Sequence, residues 1–313
     1  MKDIVARALV ILYGLALFAL GIYFFFDIAS PNLFEVVLRD LAGESYFEWI
    51  DNIPFLYANA IAVCTPVMLL GFYSRLRQIR SISGTLERVA IPWSIFVSAY
   101  GFLTSFSYIS NPLPLTKVMA VVASSLFAIV CGGLLAAVGY YLREEQVDAD
   151  RPIALIDHLT FLAILIFSYL AWDAALQLPP IDWGLPLLFI GSCYVFQRAS
   201  LKPIWPVDRE TMLELLLKSV TPATLGGVLL AIVLWVSAYD NAPALGPALY
   251  LGLVLVIGGS LTLAFVALAT KENFRLRQLI WRSTWHLLEI YALLILIIYA
   301  PVSALEMFLQ GDI

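Results

Sequence analysis

Nine long apolar runs divide this chain of 313 residues. A transmembrane α-helix needs about 20 apolar residues in succession. The chain is 62% hydrophobic and only 13% charged, so its apolar surface exceeds what one globular core in water can hide. The sequence therefore predicts an all-α fold, a polytopic transmembrane helix bundle with about nine spans, in which residues 1–313 form one transmembrane domain.

The predicted spans are Ile4–Ala29, Ile53–Tyr73, Val89–Ile109, Leu115–Leu142, Ala154–Leu178, Ile181–Phe196, Pro222–Tyr239, Leu245–Thr270 and Ser283–Leu305. The sixth run is the shortest and begins with polar Asp182 and flexible Gly184. A re-entrant segment is therefore the alternative to a full crossing there.

The basic residues indicate an orientation for these spans. Cytoplasmic loops of membrane proteins carry an excess of lysine and arginine. With the N-terminus inside and nine crossings, only Arg39 and Lys117 of the 18 basic residues fall outside. We therefore expect a cytoplasmic N-terminus and an external C-terminus, in a membrane that we take to be the bacterial inner (plasma) membrane.

Two segments between the spans have the pattern of interfacial helices. In Leu33–Leu41, outside the membrane, apolar residues recur at helical spacing while charges occupy the other faces. Asp208–Lys218, inside, has a similar mixture. Both patterns are typical of amphipathic helices that lie on the bilayer, and the alternative is that they cap the helix bundle.

Proline and a faint repeat add two structural hypotheses. Pro66, Pro92 and Pro301 fall within predicted spans, where proline removes a backbone donor and favours a kink. Residues 1–145 and 150–275 share weak echoes, such as an aromatic–Asp pair at the end of a span, and a final helix follows. Parallel repeats of this kind occur in transporters.

Several classes of chemistry find no support in the sequence. There is no phosphate-binding Walker loop, no His-Glu-x-x-His zinc motif and no Gly-x-Ser-x-Gly nucleophile motif. No basic tract for nucleic acid occurs, and no cofactor or metal is implied. The three cysteines lie far apart in sequence, within apolar runs, and are predicted to be buried small hydrophobes rather than a disulfide or metal site.

Ionisable residues within spans are the candidate binding residues, because each costs about 2.5–3.5 kcal/mol to insert. The candidates for a substrate or ion site are Asp27, Asp157, His158, Asp173, His286 and Glu289. Two clusters are predicted from their depths. The alternative for each is a structural role, as an ion-pair network between helices or as carboxylates at the water interface.

The inner cluster would combine Asp157 and His158 with His286 and Glu289, provided that spans five and nine are neighbours. Arg282, His286 and Glu289 follow i, i+4, i+7 spacing, so they share one helix face. We expect Glu289 to be paired with one of these neighbours or with His158. The outer cluster would contain Asp27 and Asp173, where two like charges suit proton-coupled transport. Haem ligation by the two histidines has no other support.

Three functions are compatible with these features. The leading hypothesis is a transporter or channel-type protein for a small solute or ion, which the many spans, the prolines and the acidic residues favour. The second is a non-catalytic membrane subunit or scaffold of a larger membrane complex, and the expected partners are the bilayer with other membrane subunits or further copies in a homo-oligomer. The third is a lipid- or quinone-active membrane enzyme, for which we expect a lateral, lipid-facing cleft that leads to His286.

Overall fold

The protein is described by a computed structural model that covers residues 46–109, 115–142, 153–176, 181–199, 208–237, 242–270 and 274–309. The helices within these segments are α1 (Tyr46–Leu76), α2 (Ile82–Ile109), α3 (Leu115–Tyr141), α4 (Leu155–Leu176), α5 (Gly184–Ala199), α6 (Arg209–Ser237), α7 (Ala242–Ala269) and α8 (Phe274–Leu309). The predicted first span Ile4–Ala29 and the predicted helix Leu33–Leu41 lie outside the described residues.

The described chain is a helical membrane bundle, which confirms the predicted class of fold. Each predicted span from the second to the ninth overlaps one helix, although α1, α2, α6 and α8 begin at least seven residues before the predicted spans. Within the described residues, five helical stretches are long and apolar enough to cross a membrane: Ala58–Leu76, Leu155–Trp172, Glu210–Leu234, Leu249–Ala269 and Leu276–Ile297. At 16 residues, α5 is shorter than the roughly 20 residues that a full span needs.

Two helices, α2 and α7, form the centre of the bundle. Every residue of α2 from 83 to 103 is buried, and α2 packs against α1, α3, α7 and α8. Helix α7 contacts α5, α6 and α8 on its other sides, and α4 bridges α1 and α7. Because protein surrounds α2, it accommodates Ser94, Ser98 and two charged residues, whereas α4 presents Leu159, Leu162 and other large apolar side chains outward.

Polar side chains connect several helix ends at one end of the bundle, where α1 ends and α2 begins. There Arg77 bonds to Asp157 at the start of α4, and Arg80 donates to the Ala267 carbonyl near the end of α7, at 2.8 Å. Arg277 at the start of α8 pairs with Glu87 of α2. We call this region the arginine end.

Helix α1 illustrates how the bundle accommodates proline. Pro66 has no N–H and so cannot donate to the carbonyl four residues earlier, that of Ala62. The indole Nε1–H of Trp93 on α2 donates to this carbonyl at 2.8 Å instead. Trp93 is only 1% exposed, so this bond between helices satisfies a buried backbone acceptor that water cannot reach.

The same arrangement recurs in α6. Pro222 cannot donate to the Lys218 carbonyl, and the side-chain amide of Gln197 on α5 donates to it at 3.0 Å. Helix α6 therefore continues through Pro222 from Arg209 to Ser237. Here the sequence interpretation needs correction: Asp208–Lys218 is not a separate helix beside the span but the first part of α6, with Leu213 and Leu217 buried in the bundle.

Asp208 explains why α6 begins where it does. Its carboxylate accepts a hydrogen bond from the Thr211 amide at 3.1 Å and another from the Thr211 hydroxyl, which is the geometry of a helix N-cap. These two bonds, the hydroxyl bond first, lower the pKa of Asp208. A capped start anchors α6 at the arginine end.

Two adjacent glycines of α3 have opposite surroundings. A Cβ on Gly132 would collide with Ser94 and approach the Ala90 carbonyl to 2.8 Å, so Gly132 allows α3 to lie close to α2. A Cβ on Gly133 would meet no atom within 4 Å. Gly133 therefore borders open space, which becomes important for the candidate site.

Replacing Trp93 by Phe tests the account of Pro66. The variant removes the donor to the Ala62 carbonyl, and an unsatisfied buried acceptor costs about 1–3 kcal/mol. In a Pro66→Ala background the restored N–H can serve that carbonyl, so Trp93→Phe should cost about 1 kcal/mol less there. Unfolding of the four proteins in one detergent gives the comparison. Equal costs in the two backgrounds would show that the indole bond does not stabilise the helix at Pro66.

Candidate functional site

Asp157, a predicted site residue, is completely buried in the first turn of α4. Its Oδ1 accepts hydrogen bonds from the Tyr73 hydroxyl at 3.0 Å and from Arg77 Nε at 3.1 Å. Its Oδ2 accepts from the Ala154 amide at 2.9 Å. Both carboxylate oxygens thus have donors within the protein, and the group joins α1 to α4.

His158 also belongs to the junction between α1 and α4. Its Nδ1 donates to the Ala154 carbonyl at 2.7 Å, while the Ala154 amide donates to Asp157. The two side chains together fix the start of α4. Arg77 lies just beyond the apolar stretch of α1. Its hydrogen bond to Asp157 and the negative charge of Asp157 raise the pKa of Arg77.

The predicted row on α8 also forms. Arg282 Nε donates to His286 Nε2 at 3.3 Å, and His286 Nδ1 donates to Glu289 Oε2 at 3.1 Å. The expectation that Glu289 is paired is confirmed, with His286 as its partner. The row lies on the outer surface of the described bundle, since the Glu289 side chain is 69% exposed.

The structure does not bring the two halves of the predicted inner cluster together. Helix α4 packs against α1 and α7, whereas α8 packs against α2, α6 and α7. Asp157 and His158 bond to α1 and to their own helix, and His286 and Glu289 bond along α8. Of the outer cluster, the side chain of Asp173 and all of Asp27 lie outside the described residues.

A cavity of about 670 Å3 lies elsewhere, between α2, α3 and α8. Helix α2 forms its floor, and α3 and α8 form its walls. The lining residues are Glu87, Arg88, Ile91, Pro92, Gly133, Ala136, Ala137, Tyr140, Tyr141, Arg277, Gln278, Ile280, Trp281, Thr284 and Trp285. We call this cavity the lateral groove.

The polarity of the lateral groove changes along its length. Glu87, Arg88 and Arg277 lie at the arginine end, where α2 and α8 begin. Deeper along the helices the lining consists mainly of apolar or small residues, including Ile91 and Gly133. Eight residues separate Tyr141 from Gly133 along α3, which corresponds to about 12 Å at 1.5 Å per residue.

The charged end of the lateral groove is built from distant parts of the sequence. Glu87 on α2 and Arg277 on α8 form an ion pair in which both side chains are largely shielded. Arg88, also on α2, is 4% exposed. Among the described lining residues, this end of the groove thus contains two arginines and one glutamate, and guanidinium groups are the side chains that bind phosphate and carboxylate groups best.

Aromatic side chains form the edges of the groove. Trp281 and Trp285 lie one turn apart on α8 and meet edge to face, with ring centroids 5.7 Å apart. Tyr140 and Tyr141 close α3 on the opposite side and are 62% and 82% exposed. Tyr140 and Tyr141 lie at the arginine end of α3, and tyrosine favours the level of the lipid headgroups because its ring is amphipathic.

Sequence reasoning missed this site because it placed Glu87 and Arg88 in a loop before Val89. Helix α2 in fact begins at Ile82, and Ser81 caps it by accepting from the Gly84 amide at 3.0 Å. The Ser81 cap is a signal that the sequence does contain. The pairing of Glu87 with Arg277, 190 residues away, has no local signal.

In comparisons with known proteins, no family model, no curated protein and no solved structure matches this chain. Within the described ranges, no three His, Cys, Asp or Glu side chains are placed to share a metal ion. The lateral groove therefore has to be interpreted from its own chemistry.

Asp157 and Glu289 should respond differently to neutralisation. Asp157→Asn weakens three hydrogen bonds at a buried carboxylate and should lower stability by about 2 kcal/mol. Glu289→Gln disrupts one exposed pair and should cost less than about 1 kcal/mol. Thermal unfolding in one detergent measures both, with Tyr73→Phe as an intermediate control. A larger loss for Glu289→Gln would contradict the structural role given to Asp157.

Proposed function

We propose that this membrane protein binds a bilayer-embedded amphiphile with an anionic headgroup, a lipid or lipid-like molecule, in the lateral groove. The observation that carries the proposal is the change of lining from charged at the arginine end to apolar and small at Gly133. An amphiphile has the same order of groups along its length.

The charges support an anionic headgroup. Arg88 and Arg277 lie with Glu87 at the same end of the groove. A guanidinium presents a planar fork of N–H donors that matches phosphate or carboxylate oxygens. Glu87 holds Arg277 in place, so that this guanidinium is positioned before a ligand arrives.

The apolar part of the groove supports an acyl chain. Gly133 leaves open space where any other residue would place a side chain, and Ala136 and Ala137 keep the α3 wall low. The groove lies between the outer helices α3 and α8 rather than in the packed centre of the bundle. A lipid could enter it sideways from the bilayer without first crossing water.

Transport of a small solute or ion stays a prediction from the sequence. It requires a polar path through the bundle, whereas the described centre contains packed aromatic side chains such as Trp93, Phe96 and Tyr100. The lateral groove supports a function that acts on lipid more than it supports transport. A quinone would use the same apolar floor but lacks the negative charge that the arginines favour.

Filling the groove should remove the ligand. Gly133→Leu places a side chain in the open space and should weaken binding of phosphatidylglycerol about tenfold, which is about 1.4 kcal/mol. Gly226→Leu on α6 is the matched control, since a Cβ there also meets nothing within 4 Å. Native mass spectrometry of the purified protein, titrated with phosphatidylglycerol or phosphatidylcholine of the same acyl chains, measures the occupancy.

Arg88→Gln separates the headgroup from the chain in this experiment. Arg88→Gln should weaken binding of phosphatidylglycerol about tenfold and binding of phosphatidylcholine only a little, whereas Gly133→Leu should weaken binding of both lipids. Thermal unfolding of each variant verifies folding. Equal lipid binding by wild type, Gly133→Leu and Gly226→Leu would refute the groove as the site, and an equal preference for the two lipids in wild type would refute the anionic headgroup.

We further propose that the chain crosses the membrane nine times, with the arginine end in the cytoplasm. Among the described basic residues, only Lys117 belongs to a helix terminus at the opposite end of the bundle. This asymmetry supports an internal N-terminus in the predicted bacterial inner membrane.

The proposed orientation predicts where the C-terminus lies. A phosphatase reporter fused after Ile313 should be active, because it folds outside the cytoplasm, and a fluorescent protein fused at the same place should be dark. A bright, cytoplasmic fluorescent fusion would require an even number of crossings. The short helix α5 would then be the segment that fails to cross.

A further inference from the structure

Glu87 is the single carboxylate among the described residues that line the lateral groove. Its Oε1 accepts a hydrogen bond from Arg277 in the ion pair that joins α2 to α8. The Glu87 side chain nevertheless stays 10% exposed. A carboxylate only accepts hydrogen bonds, and its two oxygens together offer about four lone-pair sites. Glu87 can therefore accept from a ligand in the groove while it holds Arg277.

The other polar side chains at this end of the groove are weaker acceptors than Glu87. Arg88 and Arg277 only donate, and the Thr284 hydroxyl already donates to a carbonyl of its own helix at 2.8 Å. Gln278 is exposed near the start of α8, and its neutral amide both donates and accepts. A hydrogen-bond donor on a headgroup therefore finds its strongest acceptor, a charged one, in Glu87.

The position of Glu87 along the groove matches that of a headgroup rather than that of an acyl chain. A Cβ on Gly139 would approach the Glu87 amide nitrogen to 2.6 Å, so these two residues of α3 and α2 lie at the same height. Gly139 follows Gly133 by six residues, or about 9 Å toward the arginine end. In a glycerophospholipid, the headgroup alcohol lies beyond the phosphate. An acyl chain beside Gly133 would therefore direct this alcohol toward Glu87.

A hydroxyl group is the donor that suits the paired charges of Glu87 and Arg277. A phosphate oxygen beside Glu87 would be repelled by the carboxylate, and an ammonium group would be repelled by Arg277. A hydroxyl carries no net charge, so it donates to Glu87 without either repulsion. Hydrogen bonds with one ionised partner are about twice as strong as neutral ones, so this contact is strong enough to distinguish headgroups.

We infer that the lateral groove selects, among anionic amphiphiles, those whose headgroup carries free hydroxyl groups, and that Glu87 accepts a hydrogen bond from one of them. This selectivity rests on the proposed function, because an anionic amphiphile is taken as the ligand. The phosphate contacts Arg88 and Arg277, and the hydroxyl contacts Glu87. The acyl chains follow the wall of α3 past Gly133. Glu87 thus determines specificity in addition to holding Arg277.

The test compares two lipids that differ only in headgroup hydroxyls. Phosphatidylglycerol and phosphatidylpropanol with the same acyl chains have equal charge and equal numbers of headgroup carbons, but the second has no headgroup hydroxyl. Both are added together to the purified full-length protein, and native mass spectrometry separates the two complexes by mass. Wild type should bind phosphatidylglycerol about tenfold more tightly, as a hydrogen bond to a charged acceptor provides. Phosphatidylethanolamine and phosphatidylcholine are titrated separately.

Two variants distinguish the hydroxyl contact from the ion pair. Glu87→Met keeps a side chain of similar length but removes the carboxylate, so it should reduce the preference for phosphatidylglycerol to less than about twofold. Arg277→Gln breaks the same ion pair but keeps the carboxylate, so it should weaken binding of both lipids and retain the preference. Thermal unfolding verifies that each variant is folded. If Glu87→Met does not fold, the comparison of lipids on wild type decides the outcome.

Equal binding of phosphatidylglycerol and phosphatidylpropanol by wild type would overturn the inferred selectivity, and a full preference in folded Glu87→Met would overturn the role of Glu87. Tighter binding of phosphatidylethanolamine than of phosphatidylglycerol would also overturn it, because Glu87 would then recognise an ammonium group. If wild type binds both anionic lipids equally but more tightly than phosphatidylcholine, only the hydroxyl selectivity is refuted. If it binds neither more tightly than phosphatidylcholine, the proposed function is refuted as well.

Discussion

The constraint on which the whole structure depends is that lipid cannot hydrogen-bond to a polypeptide backbone. Helices meet most of this requirement within themselves, but each proline leaves one carbonyl without its donor. Trp93 serves the carbonyl freed by Pro66, and Gln197 serves the one freed by Pro222. These bonds run between helices, so the same interaction that satisfies a backbone acceptor also fixes how two helices pack.

The same constraint governs the charges. A buried charge needs a partner, because without one nothing offsets the free energy that its desolvation costs. Asp157 meets Tyr73 and Arg77, and Glu87 meets Arg277, both at the arginine end. The difference between the two sites lies in what surrounds them: Asp157 is enclosed where α4 joins α1, whereas Glu87 borders a cavity. Only the second arrangement leaves room for a ligand.

Local sequence patterns predicted the helices well and the site poorly. The span Ala154–Leu178 differs from α4 by only a few residues, because hydropathy alone determines which residues enter lipid. Hydropathy did not predict the start of α2, because the first turns of this helix are polar and are covered by protein rather than by lipid. The contact of Glu87 with Arg277 depends on which helices become neighbours. Hydropathy and spacing within one segment contain no information about that choice.

The central claim, that the lateral groove holds an anionic amphiphile, is tested most directly by an experimental structure of the protein in nanodiscs containing phosphatidylglycerol. The account predicts elongated density beside Gly133 that ends in a headgroup against Arg88 and Arg277. A groove closed by its own walls, or occupied by another part of this chain, would contradict it.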